Sequence, residues 1–418
     1  MIMILSEDIS NSLKERFLRY VQVYSESNSE NADKGIQPST SQQKDMAQLL
    51  NKELNALGLK DVQTTEFCYT YGFLPATKGH ESSPSFCLLS HIDTVDEVTG
   101  KDVHPIVHEN YNGLPINLKN NVTLDPATDE ALALAASEHD TVITADGTTL
   151  LGADDKAGVS EIMTLLEFLT KHPEVEHGPI EVIFSPDEET GHGMDNVPLN
   201  LLKSKFAYTV DGGHIGELET ECFNAYKSDI KFTGISKHTG SARGVMVNAV
   251  TMASNFVSSL PRHEAPETTD SKQGFYAPMT ISGSIEESYV SLILRDFTKD
   301  GMQKRMELVD TLANATALSF GGKAQVTHTK QYENMKEKMD EHPEVVKKLA
   351  AAYKNAGVEP LFTPIRGGTD GSRLTEMGIP TPNIFTGGHN FHSRYEWASF
   401  SQMKKACEVL IELAKNWA

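Results

Sequence analysis

Short apolar runs alternate with amphipathic helical segments along much of this chain of 418 residues. The runs at 85–90, 180–184 and 206–210 have the length and composition of buried strands. The segments at 8–23 and 157–169 carry apolar residues at the spacing of one helix face. Because strands that alternate with helices form a sheet with helices on its faces, we predict an α/β domain with a mixed sheet flanked by helices.

A further helix is expected to follow a polar stretch that ends in Pro38-Ser-Thr40. The hydroxyl groups of Ser39 and Thr40 are suited to cap its first turn. Leu57 and Gly58 mark the expected end of this helix.

The pattern of predicted strands and helices changes after about residue 218. Two strand–helix units follow, with elements expected at 229–233, 248–260, 289–295 and 299–320. Two such units in this order predict a smaller, inserted α+β domain with its own sheet. Helices expected at 343–355 and 400–416 then return to the pattern of the first part of the chain. The expected domain boundaries are therefore 1–218 for the first part of the larger domain, 219–332 for the insert, and 333–418 for the second part.

The chain carries a formal charge of -21 and has a sequence pI near 5.1. A surface this negative repels phosphate backbones and anionic lipids, so we expect neither nucleic acid nor a membrane as a partner. No stretch approaches the ~18 uninterrupted apolar residues of a spanning helix. The four cysteines form no CxxC pair, which predicts reduced thiols and a cytoplasmic location.

Polar residues stand where the predicted strands end, which is where α/β sheets bind ligands. His91 and Asp93 follow the strand at 85–90. Residues two apart in an extended segment share a face, so Asp93 can orient the ring of His91 while its other nitrogen binds a metal. An ordinary surface turn is the competing interpretation of this tripeptide.

Carboxylates form two further clusters. Asp154 and Asp155 lie in a glycine-flanked turn before a helix, where they either bridge cations or cap the helix. Asp187, Glu188 and Glu189 follow the strand at 180–184. Consecutive carboxylates repel, so one of them binds a cation or holds a proton unless the loop is simply solvated. A metal ligand beside a general base has this composition, because the base must reach the water that the metal acidifies.

One more carboxylate and two histidines complete the candidates. Asp211 ends the strand at 206–210, and His389 and His392 share a glycine-flanked loop. Two histidines and three carboxylates, with Asp154 able to bridge, supply each of two cations with one imidazole and about two carboxylates. This donor set predicts two zinc ions, with cobalt or manganese as substitutes.

These motifs closely resemble those of the co-catalytic zinc metallopeptidases, the family that includes aminoacylase and carboxypeptidase G. The resemblance runs nearly end to end and is carried by LLGADDKAG at 150–158, SPDEE at 185–189 and YTVDGG at 208–213. Strings typical of the tripeptidase branch are GVMVNA at 244–249, GFY at 274–276, IRGGTDG at 365–371 and FTGG at 385–388. The resemblance implies an aminopeptidase of peptide catabolism that releases the N-terminal residue of tripeptides.

Carried over by motif, the resemblance implies five metal ligands: His91 and Asp211 for one cation, Glu189 and His392 for the other, and Asp154 between them. Asp93 would be the residue counted as catalytic beside His91. Glu188 would be the general base that takes a proton from the metal-bridging water and returns it to the leaving amine. His389 falls where the family has an aromatic residue, so it is interpreted as a neighbour and not a ligand. The family also implies a cis bond between Asp154 and Asp155.

The insert at 219–332 would be the lid domain of the catalytic domain. His238 matches a family histidine thought to polarise the scissile carbonyl group, and Arg295 matches a residue that would bind a substrate carboxylate. Thr239 replaces the proline of the family's lid motif, which frees the backbone beside His238. Lid domains of this family sometimes dimerise, so the sequence leaves a homodimer through the lid open.

Two other functions are compatible with parts of these motifs. A deacylase or carboxypeptidase on the same scaffold would act on N-acyl amino acids, and the strings of the tripeptidase branch argue against it. A metal-binding protein that has lost catalysis would lack Glu188 or a ligand, and none is missing. The free α-amine of the substrate separates the first two functions, since only the aminopeptidase needs it.

Overall fold

The computed structural model describes residues 5–418 and divides into two compact units. The first contains the chain up to Thr220 together with Glu337–Thr363 and Thr369–Ala418. The second contains Glu221–Lys336 and Pro364–Gly368. The role of the second unit as a lid stays a prediction. No helix in the described part of the chain combines the length and the hydropathy that a membrane crossing requires.

In chain order the α-helices of residues 5–418 are α1 Glu7–Tyr20, α2 Ser29–Ala32, α3 Gln43–Ala56, α4 Glu130–Ser137, α5 Ala153–Lys171, α6 Ala249–Ser259, α7 Lys299–Phe320, α8 Lys336–Glu341, α9 Pro343–Asn355, α10 Asp370–Glu376 and α11 Phe400–Asn416. The strands are β1 Lys60–Thr64, β2 Thr70–Leu74, β3 Phe86–His91, β4 Ile106–His108, β5 Ile116–Asn117, β6 Thr123–Leu124, β7 Val142–Thr144, β8 Ile180–Ser185, β9 Ala207–Gly212, β10 Glu217–Glu219, β11 Asn224–Thr233, β12 Phe275–Gly283, β13 Glu287–Asp296, β14 Lys323–Tyr332, β15 Leu361–Phe362, β16 Asn383–Phe385, β17 Gly388–His389 and β18 Trp397–Ser399.

A mixed sheet with the strand order β1-β2-β8-β3-β9-β16-β10-β15 forms the centre of the first unit. Its middle strands β8, β3, β9 and β16 run parallel. β1 and β2 pair antiparallel at one side, and β10 pairs antiparallel with β16 at the other. A smaller antiparallel sheet, β17-β18-β7-β4, belongs to the same unit. This architecture confirms the predicted α/β class with a mixed sheet flanked by helices.

Helix α5 is the buried centre of the first unit. It packs on β3 and β9 and against α1 and α11, and its side chains are almost all buried. At Gly158 its backbone lies so close to β9 that an added Cβ would stand 1.8 Å from the carbonyl oxygen of Val210. Glycine at this position therefore lets the first turns of α5 lie directly against the strand that carries Asp211.

The second unit has a sheet and a core of its own. Its antiparallel strands follow the order β12-β13-β11-β14, and α6 and α7 pack on them. The core includes Phe232, Phe256 and Leu292, which confirms the α+β class predicted for the insert. The edge strands β12 and β14 expose most of their side chains. They therefore lack the apolar run by which β11 and β13 are recognised in the sequence.

The hydroxyl groups of Ser39 and Thr40 do not cap α3, so that prediction was wrong. Gln42 stands at the N-cap and makes no side-chain cap bond. Ser39 instead donates its backbone N–H and its hydroxyl to the carboxylate of Asp187, and Thr40 donates to the carbonyl oxygen of Glu26 at 2.6 Å. A buried carboxylate without donors costs more free energy than a solvated helix end without a cap, so the donors of Ser39 bond Asp187 and not the helix.

We expect Gly158→Ala to destabilise the first unit by about 1–3 kcal/mol, because its methyl group would meet backbone atoms of a central strand. Urea unfolding followed by tryptophan fluorescence measures this loss, since Trp397 and Trp417, the two tryptophans of the chain, lie in the first unit. Gly72→Ala in β2 is the matched control. Its methyl group would meet the ends of two leucine side chains at 3.1 and 3.2 Å, which can shift, so the loss should stay below ~1 kcal/mol. An equal loss in both variants would contradict the close contact.

Candidate metal centre

Three neighbouring parallel strands bring polar residues to one edge of the central sheet. His91 ends β3 and pairs in register with Ser185 at the end of β8, and Asp211 lies near the end of β9. Glu188 and Glu189 occupy a single 3₁₀ turn directly after β8. Because the carboxyl ends of parallel strands meet at the same edge of a sheet, their side chains come together there.

Ligand-type side chains form two groups at this edge, and Asp154 belongs to both. In the first group, Nε2 of His91 lies 2.9 Å from Oδ1 of Asp154 and 3.4 Å from Oδ1 of Asp211. In the second, Nε2 of His392 lies 3.2 Å from Oδ2 of Asp154 and 3.1 Å from Oε2 of Glu189. Asp154 thus directs one oxygen to each group. The structure brings together the five residues that the resemblance implies as metal ligands.

The electrostatics of these groups fit divalent cations. The carboxylates of Asp211, Glu189 and Asp154 meet where their side chains are only 9%, 6% and 14% exposed. Burial, to which the charge of Asp154 adds, raises the pKa of Glu189 to about 8 and that of Asp211 to about 6. A cation in each group would offset this repulsion, and an imidazole with two carboxylates is a donor set that zinc accepts. The residues present therefore fit a pair of divalent cations.

Both imidazoles hold a proton strongly among these carboxylates. Burial opposes the charged form of His91, but Asp211, Asp154 and Asp93 outweigh it and raise its pKa well above the usual value. Hydrogen bonds to Asp154 and Glu189 raise the pKa of His392 to about 11. A histidine binds a metal only in its neutral form, so protons and cations compete for both groups.

Asp93 is fully buried and connects the first group to the turn after β8. Its carboxylate lies 3.3 Å from Nδ1 of His91, whose Nδ1 also lies 3.1 Å from the backbone carbonyl oxygen of Asp93. The same carboxylate accepts the backbone N–H groups of Glu188 at 3.1 Å and Glu189 at 3.2 Å. Asp93 thus orients the His91 ring, as the sequence suggested, and also holds the turn that carries two candidate residues.

Glu188 is a member of neither ligand group. Burial raises its pKa well above the usual value, and the charges of Asp211, Asp370 and Glu189 raise it further, while His91 acts in the opposite direction. A carboxyl group in this environment takes up a proton readily, which is what a general base does.

The Asp154–Asp155 peptide bond is cis, as the resemblance implies. Asp155 points away from the two groups: its carboxylate accepts the hydroxyl of Ser90 and the backbone N–H groups of His91 and Gly158, the latter two at 3.2 Å each. The side chain of Asp154 faces His91 and His392. The two adjacent carboxylates therefore have different surroundings: Asp154 faces the ligand groups, whereas Asp155 accepts the backbone N–H of Gly158 in the first turns of α5, as a helix cap does.

Three further buried carboxylates near the site were not singled out as site residues. Asp187 is held by Ser39 and Gln43, so it supports the loop and does not face the groups. Asp370 accepts the hydroxyl of Ser185, and burial raises its pKa to about 7. Glu396 accepts backbone N–H groups of the turn that precedes Asp154. Asp187 belongs to the acidic cluster after the strand at 180–184 and Asp370 to the IRGGTDG string, but no local pattern shows the partners of the three carboxylates, which lie far away in the sequence.

His389 is buried and stacks on Trp397, with 4.2 Å between the ring centroids. Burial, together with the nearby His214, lowers its pKa to about 4. It belongs to neither ligand group, and its interpretation as a neighbour of the ligands stays a prediction.

His238 and Arg295 lie in the second unit. His238 is exposed, and its Nδ1 accepts the backbone N–H of Gly240 at 3.2 Å. Arg295 donates from Nη1 to the carbonyl oxygen of Leu294 and to Oε1 of Gln331, both at 3.0 Å. These contacts describe each residue within its own unit, and their roles towards a substrate stay predictions.

Comparison with known proteins gives full-length relatives. The profile described as peptidase family M20/M25/M40 matches residues 132–416. A protein named Peptidase T from Clostridium perfringens strain SM101 is 44% identical over 405 residues, 97% of this chain and 98% of that protein. A protein of the same name from Desulfitobacterium hafniense strain DCB-2 is 45% identical over 411 residues, 98% of each chain.

Solved structures share the fold. The aminopeptidase PepT from Bacillus cereus has a TM-score of 0.75 at 22% identity, covering 98% of each chain. A tripeptidase from Staphylococcus aureus has a TM-score of 0.77 at 23% identity, covering 99% of this chain and 98% of that one. A dinuclear metal-binding peptidase from Bacillus subtilis has a TM-score of 0.67 at 14% identity, covering 98% of each. The sequence relatives confirm the resemblance that the motifs carry.

We expect zinc binding to the metal-free protein to release about three protons per molecule near neutral pH, because His91, His392 and Glu189, whose pKa is raised to about 8, each lose a proton on ligation. Titration calorimetry in two buffers of different ionisation enthalpy counts these protons. His392→Asn should release about one proton fewer, and the zinc affinity of the unchanged protein should fall as the pH is lowered. The same proton count in both proteins would show that His392 is not a protonated competitor of the cation.

Proposed function

The chain belongs to the peptidase family M20/M25/M40, and on that premise we propose that it is a two-zinc aminopeptidase that releases the N-terminal residue of tripeptides. Relatives at 44% and 45% identity are named Peptidase T, and a protein of similar fold is named a tripeptidase. The observation that carries the two-metal part of the proposal is the carboxylate of Asp154, which turns one oxygen to each of two histidine-containing groups.

In this proposal the five ligands hold two zinc ions, for which cobalt or manganese can substitute. When bound, the ions supply Lewis acidity that polarises the scissile carbonyl group and acidifies the attacking water. Asp93 holds the His91 ring and the turn of Glu188 in place through its contacts with both. The buried, clustered surroundings of Glu188 raise its pKa, which makes its ionised carboxylate a stronger base, so this carboxylate would take a proton from the water and donate it to the leaving amine.

We also carry forward His238 and Arg295 as substrate contacts. A histidine can polarise a peptide carbonyl group, and an arginine pairs with a carboxylate through a fork of two N–H donors. Arg295 would therefore recognise the C-terminal carboxylate of a tripeptide. A contact at the end of the substrate measures its length as well as its charge.

The proposed location is the cytoplasm. All four cysteines are free and buried, which is usual in a reducing compartment. Short peptides are the proposed partners.

Glu188 and Glu189 are adjacent carboxylates with different proposed roles. Glu188→Gln should keep both cations and lose ~10²–10⁴-fold in kcat, since an amide cannot accept the proton of the water. Glu189→Gln should lose one cation, because it removes a carboxylate from the group of His392. Metal content by plasma mass spectrometry and kcat on a tripeptide measure the two effects. If both variants contain the same amount of metal, the division of roles between the two residues is wrong.

Three forms of one tripeptide test the substrate class: the free, the N-acetylated and the C-terminally amidated form. We expect release of the N-terminal residue from the free form, seen by mass spectrometry of the products, and no cleavage of the acetylated form. Cleavage of the acetylated form as fast as the free form would favour the deacylase or carboxypeptidase alternative.

The amidated form tests whether Arg295 contacts the C-terminal carboxylate of the substrate. Arg295→Ala should lower kcat/KM for the free tripeptide by ~10–100-fold, the value of a charge-assisted pair, and should affect the amide much less. Arg262→Ala is the matched control, because Arg262 is an exposed arginine of the same unit and should change neither substrate. An equal loss on acid and amide would make Arg295 a structural residue.

A further inference from the structure

Glu396 is a buried carboxylate that joins two parts of the chain near the candidate metal centre. It lies four residues after His392 and directly before β18, and it is only 2% exposed. Its hydrogen-bond partners are residues more than two hundred positions earlier in the sequence. A buried carboxylate is costly unless its oxygens accept hydrogen bonds, so these partners explain how it is tolerated.

The partners are three backbone N–H groups of a single turn. Oε2 of Glu396 accepts the N–H groups of Leu151 and Gly152, each at 2.8 Å. Oε1 accepts the N–H of Asp154 at 3.1 Å. The turn leads into α5, so Glu396 is bonded to the backbone of the same residue whose side chain faces both ligand groups.

This turn has no local cap that could do the same work. The N-cap residue, Gly152, is in the left-handed region with φ of 82° and offers no side chain to the first turn of α5. Asp154 and Asp155 have non-helical backbone angles inside the first turn. N–H groups at the start of a helix lack intrahelical partners, and Glu396 satisfies those of Gly152 and Asp154, together with that of Leu151 before the N-cap, from another part of the chain.

We propose that Glu396 is a positioning residue that fixes the Asp154 turn to the loop of His392, so that the Asp154 carboxylate faces both histidines. This inference rests on the proposed two-metal function. Asp154 and His392 face each other across 3.2 Å, and the bonds of Glu396 tie together the two backbone segments from which these side chains extend. Residues that orient metal ligands in this way typically change metal affinity by about 10–100-fold when they are lost.

Glu396→Gln separates the parts of this arrangement. The amide has one acceptor oxygen, which can keep the two bonds that Oε2 makes, whereas its NH₂ group would face the N–H of Asp154, donor against donor. The variant therefore loses the bond to Asp154 with almost no change in volume. The two donors repel each other, and the buried N–H of Asp154 is left without an acceptor, which costs free energy. The backbone of Asp154 should therefore shift, and its carboxylate should lose its fixed direction.

Glu181→Gln is the matched control. Glu181 is fully buried in the same unit, and its carboxylate also accepts backbone N–H groups, those of Lys203 and Ser204 at 3.0 and 2.7 Å. The substitution makes the same donor conflict away from the ligand groups. It thus reproduces any general loss of stability without touching the Asp154 turn.

The experiment titrates the metal-free wild type, Glu396→Gln and Glu181→Gln with zinc against a chelator and measures kcat and KM on a tripeptide for the zinc-loaded forms. We expect two zinc ions in the wild type, a loss of about 10–100-fold in zinc affinity for Glu396→Gln, and a wild-type affinity for Glu181→Gln. The loaded Glu396→Gln protein should lose kcat while its KM changes little, because the contacts to substrate are intact.

Each outcome decides a different claim. Wild-type zinc affinity in Glu396→Gln, or an equal loss in Glu181→Gln, would overturn the positioning role. A wild type that binds no zinc and cleaves no tripeptide would overturn the proposed function itself. Should Glu396→Gln not fold, Glu396→Asp takes its place: it keeps the charge but shortens the reach to the turn, and it should lower zinc affinity in the same direction.

Discussion

Three buried carboxylates, those of Asp154, Asp211 and Glu189, meet at the edge where β8, β3 and β9 end. Burial and mutual repulsion both disfavour their charged forms, and the raised pKa values of Asp211 and Glu189 express this. The two imidazoles between them compensate part of the charge while protonated. Cations would compensate more of it, because a divalent ion brings twice the charge of an imidazolium to the same place. The stability of this edge is thus linked to what occupies it.

Much of the first unit serves to hold these groups in place. The parallel register of β3 and β8 puts His91 level with the end of β8, and Asp93 then bonds both the His91 ring and the Glu188–Glu189 turn. Gly158 allows α5 to lie against β9, which brings Asp154 near Asp211. These contacts involve backbone atoms or buried side chains, so they fix His91, Asp154 and the Glu188–Glu189 turn, whereas His392 extends from a loop and is 48% exposed.

The fold class and the segments that carry the ligand candidates leave local signals in the sequence, whereas the choice of five ligands among these residues rests on the family resemblance. Buried strands such as β3 and β8 are apolar runs, and their ends carry His91 and the acidic turn. The exposed edge strands β12 and β14 leave no such signal. The hydrogen bonds of Ser39 to Asp187 and of Glu396 to the Asp154 turn could not be predicted either, since the partners are far apart in the sequence. The local sequence predicted that Ser39 caps the nearest helix, whereas Ser39 donates to the buried carboxylate of Asp187.

In the proposed centre, one carboxylate, that of Asp154, is shared between two cations. Anomalous diffraction at the zinc edge from crystals of the zinc-loaded protein tests this most directly. We expect two zinc peaks per chain at the ends of β3 and β9, about 3.5–4 Å apart, with one oxygen of Asp154 bound to each. A single peak, or two peaks with both Asp154 oxygens bound to the same ion, would contradict it.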